Sequence, residues 1–362
     1  MNARLKVCVL LVGLLAGAAA AQAATRCAEV LPWQRVAAGV WSWSPAAEAE
    51  ISHANAGHVV PTTVVLHGGD ALLIDPGPSH AHGQRVRRSL ACRFGAQVRW
   101  IVNTHAHAEN VLGNSAFADR VAAGSAEILA SAATRAGMAQ RCPDCLASLT
   151  DKAGTDAMVA TRIVLPTRTL AEGDVLRVGP YRLEVQRIEQ GHTDGDLVLW
   201  EAKRRLLWAG GLVYGQRVPE LAQGSVDGWL AALERLAALQ PRVVLGNTVS
   251  RAVAQTDLPP ALSATQRYLN DLRSAVLQAM DQGLQASDAT GVDLPAYSAW
   301  AGHAERQGFN AQRAWRELEP QWMDQIDPPA PPAASPPRGG ASGPAKPVPP
   351  HPGTTPSAPA TR

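Results

Sequence analysis

The stretch that most constrains the fold of this chain is residues 98–114, VRWIVNTHAHAENVLGN. Its apolar run at 100–102 predicts a buried strand that delivers two histidines at its end. Side chains two residues apart point to the same face of a strand, so His105 and His107 can direct both imidazoles at one point. Because imidazole is the commonest protein ligand for transition metals, the pair forms half of a zinc site. The plainer interpretation is two partly exposed histidines.

The two ends of the chain differ in composition from its middle. Residues 1–23 combine a basic start, an apolar run and an A-x-A site, which predicts a secretory signal peptide cleaved after Ala23. The apolar run is shorter than the roughly 20 residues that span a bilayer, so we expect a periplasmic or secreted protein without a membrane span after cleavage. Residues 327–362 are rich in Pro, Ala and Gly and predict a disordered tail. Residues 24–326 predict one large domain or two closely packed halves.

The formal net charge of +2 at pH 7 and the absence of a basic stripe argue against nucleic acid as a partner. We therefore expect a small-molecule substrate.

Four cysteines remain after the predicted cleavage, and an even number in an exported protein favours disulfides. The simplest pairing joins Cys27 to Cys92 and Cys142 to Cys145. Two alternatives for the Cys142–Cys145 pair stay open. A redox-active pair would need a thioredoxin-like pattern around it, and a zinc knuckle would need two further ligands.

Strand-like segments followed by helical segments occur twice along the middle of the chain. The first half predicts strands at 36–44, 62–67, 71–74, 98–102 and 127–130, with helices at 84–94 and 132–149. The second half predicts strands at 162–165, 175–178, 181–190, 196–201, 205–209 and 242–245, with helices at 227–239, 264–282 and 304–323. This order predicts an α+β fold, a four-layer αββα sandwich with two sheets face to face and helices outside.

A third histidine, His192, lies in the loop sequence GHTDGD between two predicted strands. A glycine beside a histidine lets the backbone turn sharply and present the ring. Without its context, His192 would be interpreted as a solvated loop histidine. The pairs His80/His82 and His53/His58 are likewise expected to be exposed loop residues, with a possible role in substrate contact for the second pair.

The motifs IDPG, THAHAEN, GHTDGD, LLWAGGLVY and VVLGN, in this order, resemble the metallo-β-lactamase superfamily, mostly zinc hydrolases with an αββα fold. The resemblance covers about residues 36–247. Within the superfamily, the segments RCPDC and VPELAQGSVDGWLAALERL resemble the quinoprotein relay system zinc metallohydrolases. This finer resemblance implies a periplasmic quinoprotein dehydrogenase as a partner.

The resemblance implies a metal centre that keeps only part of the family's ligand set. The first zinc ion would be held by His105, His107 and His192. Of the positions of the second ion's ligands, only Glu109 keeps a side chain that binds metal well. The others fall on residues that bind metal poorly or not at all: Asn110, Gly211 and Asn247. Glycine has no donor and an asparagine amide is a weak zinc ligand, so we expect one zinc ion.

A three-histidine zinc with an open position lowers the pKa of a bound water to about 7 and polarises a carbonyl. Glu109 is then the expected general base or water-orienting group, and Asn110 and Asn247 are expected to bind substrate or fill the vacated site. Asp75 is expected to support the histidine loop. The sequence thus predicts a hydrolase of an ester, thioester, lactone or amide.

Two other classes of function stay open. The simultaneous changes at the second-ion positions also fit a non-catalytic binding or accessory protein. A thiol–disulfide protein acting through Cys142 and Cys145 is the third possibility.

Overall fold

The computed structural model of the chain describes residue 27, residues 30–45 and residues 50–326. The predicted signal peptide and the predicted C-terminal tail lie outside these residues, and both stay predictions. Within the described residues no helix combines the length and the apolar character needed to cross a membrane.

The first sheet has seven strands in chain order. They are β1 (Gln34–Ala37), β2 (Val40–Trp43), β3 (Thr62–His67), β4 (Asp70–Ile74), β5 (Gln97–Val102), β6 (Glu127–Ala130) and β7 (Arg168–Thr169). The first four strands pair antiparallel, as expected for a meander with tight turns. From β4 to β7 the pairing is parallel, because helical crossovers connect these strands.

The second sheet has six strands in the order β13-β12-β11-β10-β9-β8. They are β8 (Val175–Val178), β9 (Tyr181–Gln190), β10 (Asp194–Glu201), β11 (Leu206–Gly210), β12 (Val243–Gly246) and β13 (Val249–Arg251). Only β11 and β12 pair in parallel, and helix α5 (Val226–Ala238) lies between them in the chain. The β9–β10 hairpin is the longest antiparallel pair of this sheet.

Period-two alternation along the strands explains why the two sheets are covered on both faces. In β4, Leu72 and Ile74 enter the core between the sheets, whereas Leu73 points outward. In β10, Leu197 and Leu199 enter the same inter-sheet core, whereas the alternate residues face the opposite side. Strands that are apolar on both faces require a second covering layer on each outer side.

Helices supply those outer layers. The remaining helices are α1 (His80–Phe94), α2 (Ala108–Val111), α3 (Ala118–Ala122), α4 (Ala132–Ala153), α6 (Pro260–Asp281) and α7 (His303–Ile326). Helix α1 packs on the outer face of the first sheet through Val86 and Leu90. Helices α5, α6 and α7 cover the outer face of the second sheet, with Trp229 and Tyr268 fully buried. The predicted α+β, four-layer αββα sandwich is confirmed.

Two predicted strands differ from the structure. The segment at 36–44 is not one strand but the hairpin β1–β2, because Gly39 adopts a left-handed φ of 68° and turns the chain. The segment at 162–165 contains no strand; strand pairing on this edge involves β7 instead. The apolar run within this segment has three residues, Ile163 to Leu165, which is too short to predict strand pairing by its pattern alone.

The cysteines pair only in part as predicted. Cys27 and Cys92 form a disulfide with a Cα–Cα distance of 5.6 Å, which ties the N-terminal segment to α1. The predicted Cys142–Cys145 disulfide is wrong, because both residues are free thiols within α4. Residues three apart on a helix have Cβ atoms about 5–6 Å apart, whereas a disulfide needs roughly 3.5–4.5 Å. Within the described part of the chain, neither thiol belongs to a cluster of metal-binding side chains, which also removes the zinc knuckle.

Candidate metal centre

The first two histidines lie in the loop that joins β5 to α2. His105 is 1 % exposed, and His107 is the residue that precedes the first turn of α2. The Thr104 hydroxyl lies 2.9 Å from His105 Nδ1 and donates to Asp75 Oδ2 at 2.7 Å. Because that hydroxyl hydrogen is used, the hydroxyl oxygen accepts from Nδ1–H of His105. This tautomer leaves the Nε2 lone pair of His105 free to bind a cation.

Asp75 anchors this loop from the end of β4. Its carboxylate accepts from the Thr104 backbone N–H at 2.9 Å as well as from the Thr104 hydroxyl. Burial raises the pKa of Asp75 to about 6, against the lowering effect of these hydrogen bonds. The residue also adopts a left-handed φ of 51°, a costly conformation that aspartate tolerates better than most side chains.

The Asn110 side chain contacts the buried carboxylate that holds the histidine loop. Its amide Nδ2 donates to Asp75 Oδ2 at 3.2 Å, and the residue is 2 % exposed. Its Oδ1 has no hydrogen-bond partner among the described residues. The expected role of Asn110 in binding substrate or filling a vacated metal position stays a prediction.

The third histidine belongs to the second sheet. His192 is fully buried in the loop between β9 and β10, and its Nδ1 lies 2.9 Å from the backbone carbonyl of Glu220. Because a carbonyl only accepts, Nδ1 carries the proton and Nε2 presents its lone pair. The neighbouring Thr193 N–H donates to the Asp196 carboxylate at 3.0 Å, which fixes the loop. The ring packs against Trp229 with 5.1 Å between centroids.

The three imidazoles converge on one point. Their ring centroids are 4.5–4.9 Å apart and their planes are nearly perpendicular. Their ligand atoms lie within 4.8 Å of one another, and His192 Nε2 lies 3.0 Å from His107 Nδ1. Donor atoms around a tetrahedral zinc, each about 2.0–2.1 Å from the ion, are roughly 3.3 Å apart. The residues therefore fit a single divalent ion.

The protonation of the centre also suits a cation. Burial, followed by the neighbouring imidazoles, lowers the pKa of His105 and His192 well below the ordinary range. Both rings are therefore neutral near pH 7, which is the form that binds metal.

Two carboxylates adjoin the imidazole of His107. Glu109 Oε1 lies 3.9 Å from His107 Nδ1. His107, Glu109 and Glu220 form a second group, whose ligand atoms lie within 4.8 Å of one another. The sequence analysis singled out Glu109 from its position two residues after His107. Glu220 was missed, because no spacing rule connects a residue after β11 with the β5–α2 loop. Asp196 was also missed as an anchor, although it follows His192 within the conspicuous GHTDGD motif.

Gly211 has no side chain to offer a cation, and the expected role of Asn247 in binding substrate or filling the vacated site stays a prediction. A Cβ atom at Gly211 would lie 2.1 Å from Cδ2 of His192, so the imidazole occupies the space of any side chain there. Asn247 follows β12 and is half-buried, and its side chain makes no hydrogen bond to any described residue. Its backbone N–H donates to Val213.

A cavity of about 800 Å³ opens beside the imidazoles, with His107, Glu109 and Glu220 in its lining. Apolar side chains from three separate elements complete part of the wall, namely Ile51, Leu149 and Phe309. Phe309 on α7 is 53 % exposed, which is unusual for an aromatic side chain without a covering partner. A small molecule of mixed polar and apolar character fits this lining.

Four further histidines were expected to be exposed, namely His53, His58, His80 and His82. The expectation holds for His53 only. His82 is 1 % exposed in the first turn of α1, where its Nε2 lies 3.1 Å from the Thr62 hydroxyl. His58 is half-buried with its ring 4.4 Å from that of His82, centroid to centroid. His80 is half-buried as well. None of them belongs to a metal-binding group among the described residues.

The fold and the converging imidazoles define the class of this protein: an αββα sandwich with a metal-binding centre where strand ends of both sheets meet. The model of the metallo-beta-lactamase superfamily matches residues 56–246, more than half of the chain. The chain belongs to this superfamily. A solved metallo-beta-lactamase from Pontibacter korlensis has the same fold, with a TM-score of 0.50 and 21 % identity over 67 % of this chain and 99 % of that one.

Characterised relatives match only short segments. A hydroxyacylglutathione hydrolase of Bdellovibrio bacteriovorus is 27 % identical over 84 residues, 23 % of this chain and 33 % of the relative. A hydroxyacylglutathione hydrolase of Anaeromyxobacter dehalogenans is 40 % identical over 57 residues, 16 % of this chain and 20 % of the relative. An acyl-coenzyme A thioesterase of Gallus gallus is 32 % identical over 80 residues, 22 % of this chain and 28 % of the relative. The matches thus span a third or less of these relatives.

Proposed function

We propose that this protein is a zinc-dependent hydrolase of acyl compounds, with thioesters as its first candidate substrates and esters, lactones or amides as the wider class. The observation that carries the proposal is the convergence of three imidazoles, two of them with tautomers set by Thr104 and Glu220, beside an open cavity. The names of the three relatives, two hydroxyacylglutathione hydrolases and an acyl-coenzyme A thioesterase, support thioesters in particular.

A single zinc ion on His105, His107 and His192 supplies Lewis acidity toward a carbonyl and a water molecule. The residues of this chain do the rest. The Thr104 hydroxyl and the Glu220 carbonyl hold two imidazoles in the binding tautomer, and burial keeps those rings neutral. Glu109 lies on the cavity wall, where its carboxylate can accept a proton from a water molecule.

The apolar part of the cavity wall favours the acyl portion of such a substrate. Ile51, Leu149 and Phe309 come from three elements and offer an apolar surface to an acyl group. Lys152 adds a cation at the same cavity, toward which a negatively charged leaving group can be oriented.

Metal content and hydrolysis of the same samples test the proposal. We expect about one zinc ion per wild-type chain and turnover of a panel of acyl thioesters and esters. His192→Ala should lose the ion and the activity, because it removes one of three ligands. His67→Ala removes an exposed histidine at the end of β3 and should retain both. A wild-type chain that binds no zinc when the metal is supplied would sink the proposal.

A second candidate function is that of a non-catalytic accessory protein, which binds a ligand or partner without turnover. Gly211 and Asn247 favour it, because a glycine has no donor atom in its side chain and an asparagine amide is a weak zinc ligand. A partner among periplasmic quinoprotein dehydrogenases is the specific form of this candidate. Retention of zinc with no turnover of thioesters, esters, lactones or amides would favour it over the hydrolase.

We also propose that the chain is exported and cleaved after Ala23. The basic and apolar character of residues 1–23 supports this, together with the Cys27–Cys92 disulfide, a bond typical of oxidising compartments. The intact mass of the protein recovered from the periplasm or medium should correspond to a chain that begins at Ala24. A full-length mass in the cytoplasm would contradict the proposal.

A further inference from the structure

A second group of possible ligand atoms shares one member with the three-imidazole centre. It consists of His107, Glu109 and Glu220, whose ligand atoms all lie within 4.8 Å of one another. His107 is 7 % exposed, and its Nδ1 is the nitrogen that also faces His192 Nε2 at 3.0 Å. The two glutamate side chains therefore adjoin the point where the imidazoles converge.

Neither of these two carboxylates is held by a hydrogen bond. Neither side chain accepts a hydrogen bond from any residue that the structure describes. The cation beside Glu220 is Arg306, whose Nε is 4.0 Å from Glu220 Oε2, and the guanidinium of Arg306 is already paired in a fork with Glu50. The Glu109 and Glu220 side chains, 18 % and 38 % exposed, repel one another, and a cation beside both would relieve that repulsion.

The geometry of Gly211 explains why a carboxylate would come from position 220. A side chain at the end of β11 cannot reach the centre, since its Cβ would lie 2.1 Å from Cδ2 and 2.7 Å from Nε2 of His192. Glu220 arrives nine residues later, and its backbone carbonyl already accepts from His192 Nδ1. The same residue thus sets the tautomer of an imidazole ligand and extends a carboxylate toward the imidazole of His107.

We propose that Glu220 supplies a carboxylate ligand to the metal centre, which then holds one divalent transition-metal cation on His105, His107, His192 and Glu220. The inference rests on the metal centre of the proposed function and adds a ligand to it. A single ion is inferred because both groups of ligand atoms share His107, and the Glu220 side chain turns toward His105 and His192 to complete one ligand set. Glu109 stays beside the ion as the second carboxylate, free to contact a water molecule.

The alternative role of Glu220 is purely structural, as a weak partner of Arg306. The two roles differ in what happens when the charge is removed. Glu220→Gln keeps the length of the side chain and leaves the backbone carbonyl that holds His192 in place. It therefore tests the carboxylate alone.

The experiment uses the mature full-length chain and zinc or cobalt as the probe. Zinc affinity is measured by competition with a chromogenic chelator in the wild type, Glu220→Gln and Glu305→Gln. Glu305 lies on the same cavity but is exposed and outside both ligand groups, so it is the matched control. Removal of groups around a metal typically costs 10–100-fold in affinity. We expect at least a tenfold weaker zinc affinity for Glu220→Gln and a change below twofold for Glu305→Gln.

The visible spectrum of the cobalt-loaded protein gives a second readout that does not depend on activity. A lost ligand should change the absorption bands of Glu220→Gln but not those of Glu305→Gln. Unchanged affinity and an unchanged cobalt spectrum in Glu220→Gln would overturn the inference while leaving the proposed function intact. A wild type that binds no metal would overturn both the Glu220 inference and the proposed function. In that case His192→Ala and the wild type would show the same lack of zinc binding.

Discussion

At the scale of single residues, the centre depends on hydrogen bonds that select one nitrogen in each of two rings, His105 and His192. Asp75 holds the Thr104 hydroxyl, and that hydroxyl in turn orients His105. Asn110, which the family places at a metal, instead adds a third donor to the Asp75 carboxylate. A chain of buried polar groups of this kind is stable only when every member is satisfied. Changes within it should therefore be felt at the metal.

Thr104→Val should weaken zinc affinity by about 10–100-fold, because the variant removes the acceptor of His105 Nδ1–H and one donor to Asp75. Thr104→Ser keeps the hydroxyl and is the control, with an expected change of about threefold or less. Chelator competition measures both. Equal affinities for Thr104→Val and the wild type would show that the hydroxyl does not orient the imidazole.

Gly211→Ala should lower the free energy of unfolding by about 1–3 kcal/mol and release the metal, because the new methyl group would overlap the His192 ring. The backbone of Gly211 has no left-handed φ, so the effect is steric. Gly291→Ala is the control, since a Cβ there meets nothing within 4 Å. Urea unfolding of the metal-free proteins checks the prediction, and equal stability of the two variants would contradict it.

At the scale of elements, the segment 50–61 contacts the start of α1 through the packed rings of His58 and His82. The His58 ring lies edge-on to Trp43 and 4.4 Å from His82, while Ile51 of the same segment lines the cavity. Burial lowers the pKa of His58 to about 4. Burial also holds the pKa of His82 well below its usual value. Both rings are thus held neutral in the folded protein.

This contact should make stability fall in acid. Histidine in the unfolded chain has a pKa of about 6.5, whereas His58 in the folded protein has a pKa of about 4. Between these pH values the unfolded chain binds a proton at this position and the folded protein does not, so acid favours unfolding. Between pH 7 and pH 5 the wild type should lose about 2 kcal/mol through His58. His58→Gln lacks this loss, so the stability difference between the two proteins should shrink as the pH falls. Urea unfolding with a chelator present measures it, and parallel pH profiles would contradict the assignment.

Sequence patterns predicted most elements because burial on both faces leaves a signal in the strands themselves. The segments at β4, β9 and β10 are apolar or alternating over most of their length, and the structure places them inside their sheets. The strand expected at 162–165 failed because its pattern was short, and the Cys142–Cys145 disulfide failed because helix geometry outweighs an even cysteine count. The spacing of two cysteines in the sequence does not give the distance between their Cβ atoms, which decides whether a disulfide can form.

The same distinction applies to the centre. His105 and His107 are two residues apart at a strand end, so sequence reasoning could pair them, and the structure brings His192 to them from the other sheet. Glu220 could not be assigned, because its position follows from how the loop after β11 folds against the His192 loop. Asp196 could have been assigned, because it accepts from Thr193 within the same short motif. The contact between the Asn110 amide and Asp75 could not be predicted, because the motif does not show which way the side chain turns.

At the scale of the whole molecule, one apolar layer joins the two sheets. Val185 of β9 and Leu72 of β4 belong to the same inter-sheet core, and Trp208 of β11 donates to the Thr63 hydroxyl of β3 at 3.1 Å. Neither sheet can keep its inner face dry without the other. The two halves should therefore unfold as one cooperative unit.

Val185→Ala should lower the free energy of unfolding by about 2 kcal/mol, because it removes two buried methyl groups and leaves a small cavity. Val253→Ala makes the same chemical change at a side chain that is 86 % exposed and should cost less than about 0.5 kcal/mol. Denaturation followed by tryptophan fluorescence and by circular dichroism should give coincident curves for both variants. Two separated transitions would contradict a single unit.

The position of the three imidazoles also governs how long the folded chain survives. An ion bound to His107 and His192 joins residues 85 apart in sequence and on different sheets, so it closes a long loop as a cross-link does. Because such an ion binds the folded form, its free concentration sets the population of opened chains by mass action. The supply of metal in the surroundings would then determine the half-life of the protein against proteolysis. When the metal is scarce, more chains would open and be degraded.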